Sequence, residues 1–147
     1  LPLPEDFLMV KQIRYIKSQN EYRTSYLSKT ESARLYNSYI HQLCLLVIYK
    51  TFEMDNYGLL DSILLNGWVK TINRSSGEPI EAYIISLDCR KEDILGISLE
   101  KVDPQMCFKF LKGIGGPKFS DLVPIEPERK LRLVTDPQKV ILGQNSI

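Results

Sequence analysis

The amino-acid sequence predicts an α+β fold: a long buried central helix packed on a small antiparallel sheet, with a short second helix beside it. Three observations predict it. Ala33, Tyr36, Ile40, Leu43 and Val47 recur at helical spacing. Two apolar stretches, residues 59–72 and 80–89, flank a turn-rich segment holding Asn73, Ser75, Ser76, Gly77 and Pro79. Asp103-Pro104 then places a capping side chain before a proline at the first helical position, the start of a second helix.

Taken in order, Pro2 and Pro4 disfavour a helix at the start. Phe7 to Val10, then Ile13, Tyr15 and Ile16, predict a strand over residues 8–16 whose imperfect alternation points to a bulge. Residues 18–29, polar and holding Asn20, Ser25 and Ser28, read as a loop. Ser28 and Glu31 have the spacing of a capping box, so a helix is expected over 29–54. Residues 43–49 are apolar on every side, which predicts a helix buried all round. On that reading Leu43→Asp abolishes folding, because an unpaired buried carboxylate costs several kcal/mol, about the whole stability of a domain. Asn56, Tyr57 and Gly58 end the helix. Asn66-Gly67 between apolar runs is a hairpin signal, but 73–79 is the better turn, so a bulge inside one long strand is expected there instead. Its partner is the strand over 80–89. One helical turn follows at 91–95, and the second helix runs from Pro104 to about Lys112, stopped by Gly113. Residues 123–127 are proline-spaced and extended, and 130–134 form a candidate strand. Residues 1–134 thus read as a single domain, and 135–147 as a linker toward a further domain absent from this chain.

At 147 residues the chain has the length of one domain and can bury about two-thirds of its unfolded surface. With 44% hydrophobic and 25% charged residues its composition is ordinary for a globular protein. Nineteen basic against 18 acidic residues leave a formal net charge of +1. This excludes the overall positive charge of a small dedicated nucleic-acid binder, so any such contact requires a local patch. Cys44, Cys89 and Cys107 form no CxxC pair, which argues against a zinc knuckle and for free thiols in a reducing cytosol. The run 43–49 falls far short of the roughly 20 residues that span a bilayer, and no signal peptide is visible. A cytoplasmic location without a membrane partner is expected. The chain opens without methionine, which points to a piece of a longer protein.

His41 is the lone histidine, which leaves Ser–His and Cys–His catalysis without partners and reads as structural. Carboxylates could still hold magnesium. A nuclease core of the PD-(D/E)xK kind needs an acid on one strand and acid-x-lysine on the next. Asp61 and Asp88 are the nearest candidates, but Arg90 stands at the lysine offset, and Lys91, one place late, points to the opposite face. No catalytic residue and no metal ligand is assigned. Lys112, Gly113, Gly115 and Lys118 resemble the hairpin of a helix-hairpin-helix motif, in which backbone N–H groups cup a DNA phosphate. Phe119 stands where that motif wants a small residue, and Pro124 shortens the second helix. A glycine cap followed by a loop is the competing reading. In the tail, Lys130 and Arg132 share a strand face, as phosphate contacts or as a charged edge. Trp68 and the tyrosines read as core or sheet surface rather than base-stacking platforms.

The segments Gln42 to Glu53, Ile63 to Ile72, Gly77-Glu78-Pro79, Ile85-Ser86-Leu87, Val102-Asp103-Pro104 and Val123-Pro124-Ile125, in this order and spacing, resemble the region upstream of the nuclease domain in bacterial Mrr-type restriction endonuclease-like proteins. The likeness covers roughly 100 residues from the long helix onward and leaves the first 30 aside. It implies a non-catalytic accessory domain for DNA recognition or assembly in a defence protein. The parent would be the DNA endonuclease, and any Mg2+ would belong to it, with no cofactor in this chain. The partners implied are DNA, the attached nuclease domain and a second copy in a homo-oligomer. Two alternatives stand beside it: a protein–protein or oligomerisation module with no DNA contact, suggested by the near-neutral charge, and a divergent magnesium-dependent nuclease built on Asp61 and Asp88.

Overall fold

The computed structural model describes residues 1–6, 10–73 and 75–128, and its longest element starts at the expected capping box. Helix α1 (Lys29–Glu53) opens with the Ser28 hydroxyl accepting from the Glu31 N–H at 3.3 Å, while the Glu31 carboxylate accepts from the Ser28 N–H at 3.0 Å. The Ser28 hydroxyl and N–H, with the Lys11 ammonium at 3.2 Å, hold the Glu31 carboxyl down to about 2. Tyr36, Ile40, His41, Cys44, Leu45, Ile48 and Phe52 form the buried stripe, at the four-residue and one-residue offsets of a single helix face.

The helix is not buried all round. Leu46 and Val47 are 49% and 44% exposed, and Leu43 is half-buried. At about 1.5 Å per residue α1 is about 37 Å long, and the sheet, two short helices and a 3-10 turn pack against its buried stripe. The position that a charge would destroy is therefore Ile48, which is 0% exposed, rather than Leu43.

Strands β3 (Ser62–Ile72) and β4 (Pro79–Arg90) pair antiparallel along their whole length. A tight turn joins them, closed by Gly77 N–H to the Asn73 carbonyl at 2.8 Å, with Gly77 at φ 74°. The expected bulge is present, but the extra residue belongs to β4. Gly67 pairs with Ile85 and Trp68 with Tyr83, leaving Ile84 unpaired. That residue resolves a mismatch of parity. On β3 the core-facing positions are all odd: Ile63, Leu65, Gly67 and Val69. On β4 they are Ile80, Ala82 and Ile84, then Ile85, Leu87 and Cys89. Without the extra residue one half of β4 would turn its apolar side to solvent. Gly67 is glycine because a Cβ there would lie 2.5 Å from the Ile85 side chain.

The other edge of β4 takes β5 (Ile114–Gly115) opposite Ile85 and Ser86, and the Ile125 N–H donates to the Tyr83 carbonyl at 2.8 Å. The order is β3-β4-β5, with helix and sheet packed into an α+β fold. Helix α2 (Lys91–Leu95) follows β4 directly, and α3 (Pro104–Phe110) begins with the Asp103 carboxylate accepting from the Met106 N–H at 2.8 Å, as the Asp-Pro pair predicts. Asp55, just past α1, accepts from the Leu59 and Leu60 N–H groups at 3.0 Å each and pairs with the Lys91 ammonium at 2.9 Å. These partners, Lys91 first, hold its carboxyl down to about 2. All three cysteines are buried free thiols, and burial pushes Cys44 up to about 12 and Cys89 up to about 11, far from reactive thiolates. Among the described residues no helix is long and apolar enough to cross a membrane.

The N-terminal segment corrects a second expectation. Residues 18–29 are not all loop: β1 (Val10–Ile16) and β2 (Glu21–Tyr26) form an antiparallel ribbon, with Lys11 as the bulged residue. Its turn ends at Asn20, whose φ of 52° suits a short polar side chain. The candidate strand at 130–134 and the linker at 135–147 lie outside the described residues.

Two outcomes test this packing. Ile48→Ala is expected to lower unfolding stability by about 3 kcal/mol, and Leu46→Ala by less than about 1 kcal/mol, measured by denaturant titration; equal losses would contradict the one-sided burial. Asp55 has a folded pKa of about 2 against an ordinary 3.8. Its contribution is thus complete above about pH 4 and is lost as pH falls toward 2. Asp55→Asn should be less stable at neutral pH and should show a shallower acid slope, with Glu31 supplying what remains.

Candidate nucleic-acid interface

At 112–118, Gly113 and Gly115 make room for core rings, while Lys112 and Lys118 are exposed. Helix α3 ends in a Schellman arrangement: Gly113 N–H donates to the Phe108 carbonyl and Lys112 N–H to the Lys109 carbonyl, both at 2.9 Å. The left-handed position is taken by Lys112, at φ 61°, not by a glycine. Gly113 is glycine for a different reason: a Cβ there would sit 2.3 Å from the Phe108 ring. A Cβ on Gly115, inside β5, would come within 2.9 Å of the Phe119 ring. The segment is an edge strand followed by a 3-10 turn (Phe119–Asp121), not a hairpin between two α-helices. Phe119, out of place in a helix-hairpin-helix reading, is a fully buried core residue. Lys112 lines a cleft with Arg90 and with Asp88, Asp93 and Glu128, whose three carboxylates oppose a phosphate; Lys118 lies outside that lining, just before the 3-10 turn. Lys130 and Arg132 lie outside the described residues.

His41 is structural. Its Nδ1–H donates to the Asn37 carbonyl at 2.8 Å, and its ring packs on Phe108 and Phe119 at centroid distances of 5.1 and 4.7 Å. Burial pushes its pKa below the usual range, keeping the ring neutral. The Asn37 side-chain oxygen accepts from the Phe119 and Ser120 N–H groups at 2.8 and 3.4 Å, pinning the 3-10 turn on α1. A cleft of about 580 Å³ between α1 and the start of α3 holds Arg34, Ser38, His41 and Asp103, but Asp103 is committed to its cap and the histidine to its carbonyl.

Asp61 and Asp88 are not brought together. Asp88 pairs with Leu64 on the sheet face turned away from α1, whereas Asp61 lies in a bend before β3 and lines a different cleft with Glu92 and Leu95. Lys91 is held by Asp55 and Arg90 lies 3.6 Å from Glu92, so neither basic residue is placed for a nuclease role. Among the described residues no cluster of three or more His, Cys, Asp and Glu side chains could hold a metal.

Among the described residues, a local basic patch lies on the ribbon. Residues 10–26 contain Lys11, Arg14, Lys17 and Arg23 against Glu21 alone, a formal charge of +3 in a chain whose total is +1. The remaining residues together carry −2. Arg14 sits directly opposite Arg23. Like charges in that position destabilise a strand pair, and neither guanidinium has an ion-pairing carboxylate among the described residues. Every ribbon residue is exposed except Ile16, which is half-buried. Alternation sorts the side chains: Gln12, Arg14, Ile16, Glu21, Arg23 and Ser25 on one face, Val10, Ile13, Tyr15, Tyr22, Thr24 and Tyr26 on the other. Tyr15 and Tyr22 pack ring on ring at 5.2 Å, and the Tyr15 hydroxyl donates to the Asn20 side-chain oxygen at 2.7 Å. The signal that could have found β2 is its period-two row of Tyr22, Thr24 and Tyr26.

No known protein-family model matches the chain, and neither a curated protein nor a solved structure matches it.

The glycine turn has its own test. Gly113→Ala drives a methyl group into the Phe108 ring and should cost about 2 kcal/mol or more. Lys112→Gly relieves a left-handed non-glycine residue and should stabilise by about 1 kcal/mol. Thermal unfolding of the two variants checks both signs; a neutral Gly113→Ala would reopen a role for that glycine outside packing.

Proposed function

We propose that this chain is a non-catalytic, DNA-binding accessory domain of a bacterial restriction endonuclease-like protein, and that its β1–β2 ribbon makes the contact. The observation that carries the reading is the Arg14–Arg23 pair, two opposed guanidinium groups with no ion-pairing carboxylate among the described residues, on an exposed ribbon of formal charge +3. A fold keeps a repulsive pair of that kind at little cost when its partner is an anion, and the phosphate backbone is a dense array of them. The endonuclease setting rests on the resemblance of the segments from Gln42 onward to the region upstream of Mrr-type nucleases.

The test is fluorescence anisotropy of the full chain with a labelled duplex across a salt series. Affinity should fall steeply as salt rises. Arg14→Ala/Arg23→Ala should weaken binding about tenfold or more, while Lys112→Ala/Lys118→Ala should leave it unchanged. Absence of binding at low salt, or a double arginine variant that binds like the parent, would overturn the proposal.

A further inference from the structure

We infer that the ribbon enters the major groove of duplex DNA, with Arg14 and Arg23 reading guanine edges. This rests on the DNA-binding reading above and deepens it from charge to base recognition.

The two faces of the ribbon decide between duplex and single strand. Non-specific single-strand binding combines cations along the backbone with aromatic rings on which bases stack. Here the rings of Tyr15, Tyr22 and Tyr26 lie on the face opposite Arg14 and Arg23, so neither surface offers both. A groove needs only the polar face. That face carries Gln12, Arg14, Arg23 and Ser25, the side-chain types that bond base edges: arginine to guanine O6 and N7, glutamine to adenine, serine to either. Glu21, the one carboxylate on this face, can accept from the cytosine amine. Size agrees as well. Two strands about 4.8 Å apart form a ribbon that the major groove, about 12 Å wide, admits. Opposed side chains stand about 5 Å apart at Cβ, near enough for two guanidinium forks to reach neighbouring base pairs at their spacing of about 3.4 Å.

The other face supplies stiffness. A lone two-stranded ribbon is marginally stable. The Tyr15–Tyr22 contact, the Tyr15 hydrogen bond to Asn20 and the Lys11–Glu31 ion pair to α1 hold this one in shape before DNA arrives.

The experiment compares three probes with the full chain at one low salt concentration: a G·C-rich duplex, the same duplex with every guanine replaced by 7-deazaguanine, and its single strand. The replacement removes the N7 acceptor and leaves phosphate charge and pairing intact. Groove readout predicts about tenfold weaker binding to the 7-deazaguanine duplex and weaker binding to the single strand. Arg14→Lys/Arg23→Lys keeps the charge without the planar fork, so it should retain the salt dependence and narrow the difference between the duplexes, since a lysine can donate to guanine but without the fork's fixed geometry. Equal affinity for the two duplexes, together with loss of binding in Arg14→Ala/Arg23→Ala, would overturn guanine readout and leave phosphate contact standing. Preference for the single strand would overturn the groove assignment. No binding to any probe would overturn the DNA-binding reading itself, and this inference with it.

Discussion

Strands β3 and β4 share one core only because β4 carries one residue more than β3. The apolar side chains of β4 change parity at Ile84–Ile85, whereas those of β3 do not, and the unpaired Ile84 reconciles the two. Both halves of β4 then turn toward α1 and meet its buried stripe. The same close fit reaches the far edge of the sheet. There β5 pairs with Ile85 and Ser86, and Gly113 and Gly115 admit the Phe108 and Phe119 rings against the backbone. Asn37 on α1 reaches the 3-10 turn that carries Phe119, tying residues 82 apart in the chain. Both glycines thus have a packing role, since each lets a core ring lie against the backbone.

Much of this was legible where the signal is local. The Ser28–Glu31 box, the Asp103-Pro104 start and the polar turn at 73–79 each act within a few residues of themselves, and all three are found as expected. The readings that failed depend on neighbours distant in sequence. The apolar run at 43–49 does not tell which of its sides has a partner, and Leu46 and Val47 lie on the uncovered side of α1. The Asn66-Gly67 pair marked a bulge, but the extra residue lies in the partner strand, where the parity break at Ile84–Ile85 was the better sign. The two residues of β5 have no pattern of their own; pairing with β4 makes them a strand.

The candidate site was less legible than the fold, for a physical reason. Glycines beside lysines read as a phosphate cradle when only the backbone is considered, whereas here ring packing accounts for both glycines. Conversely, Asn20, Ser25 and Ser28 made residues 18–29 look like loop, although Tyr22, Thr24 and Tyr26 keep strict alternation. Missing β2 hid the register that sets Arg14 against Arg23. A net charge of +1 hides an uneven distribution, since the ribbon and residues 129–147 each carry +3 and the rest carries −5.

The arginines of the ribbon, with no ion-pairing carboxylate among the described residues, are the reason we propose it, rather than the glycine turn, as the surface for DNA. The most direct test is a heteronuclear NMR titration of the full chain with duplex DNA at low salt, following backbone amides and arginine side-chain N–H groups. Contact through the ribbon predicts shifts concentrated at residues 12–25, including the Arg14 and Arg23 side chains, with Lys112 to Lys118 unmoved. Shifts centred on Lys112 to Lys118 with a silent ribbon would contradict it.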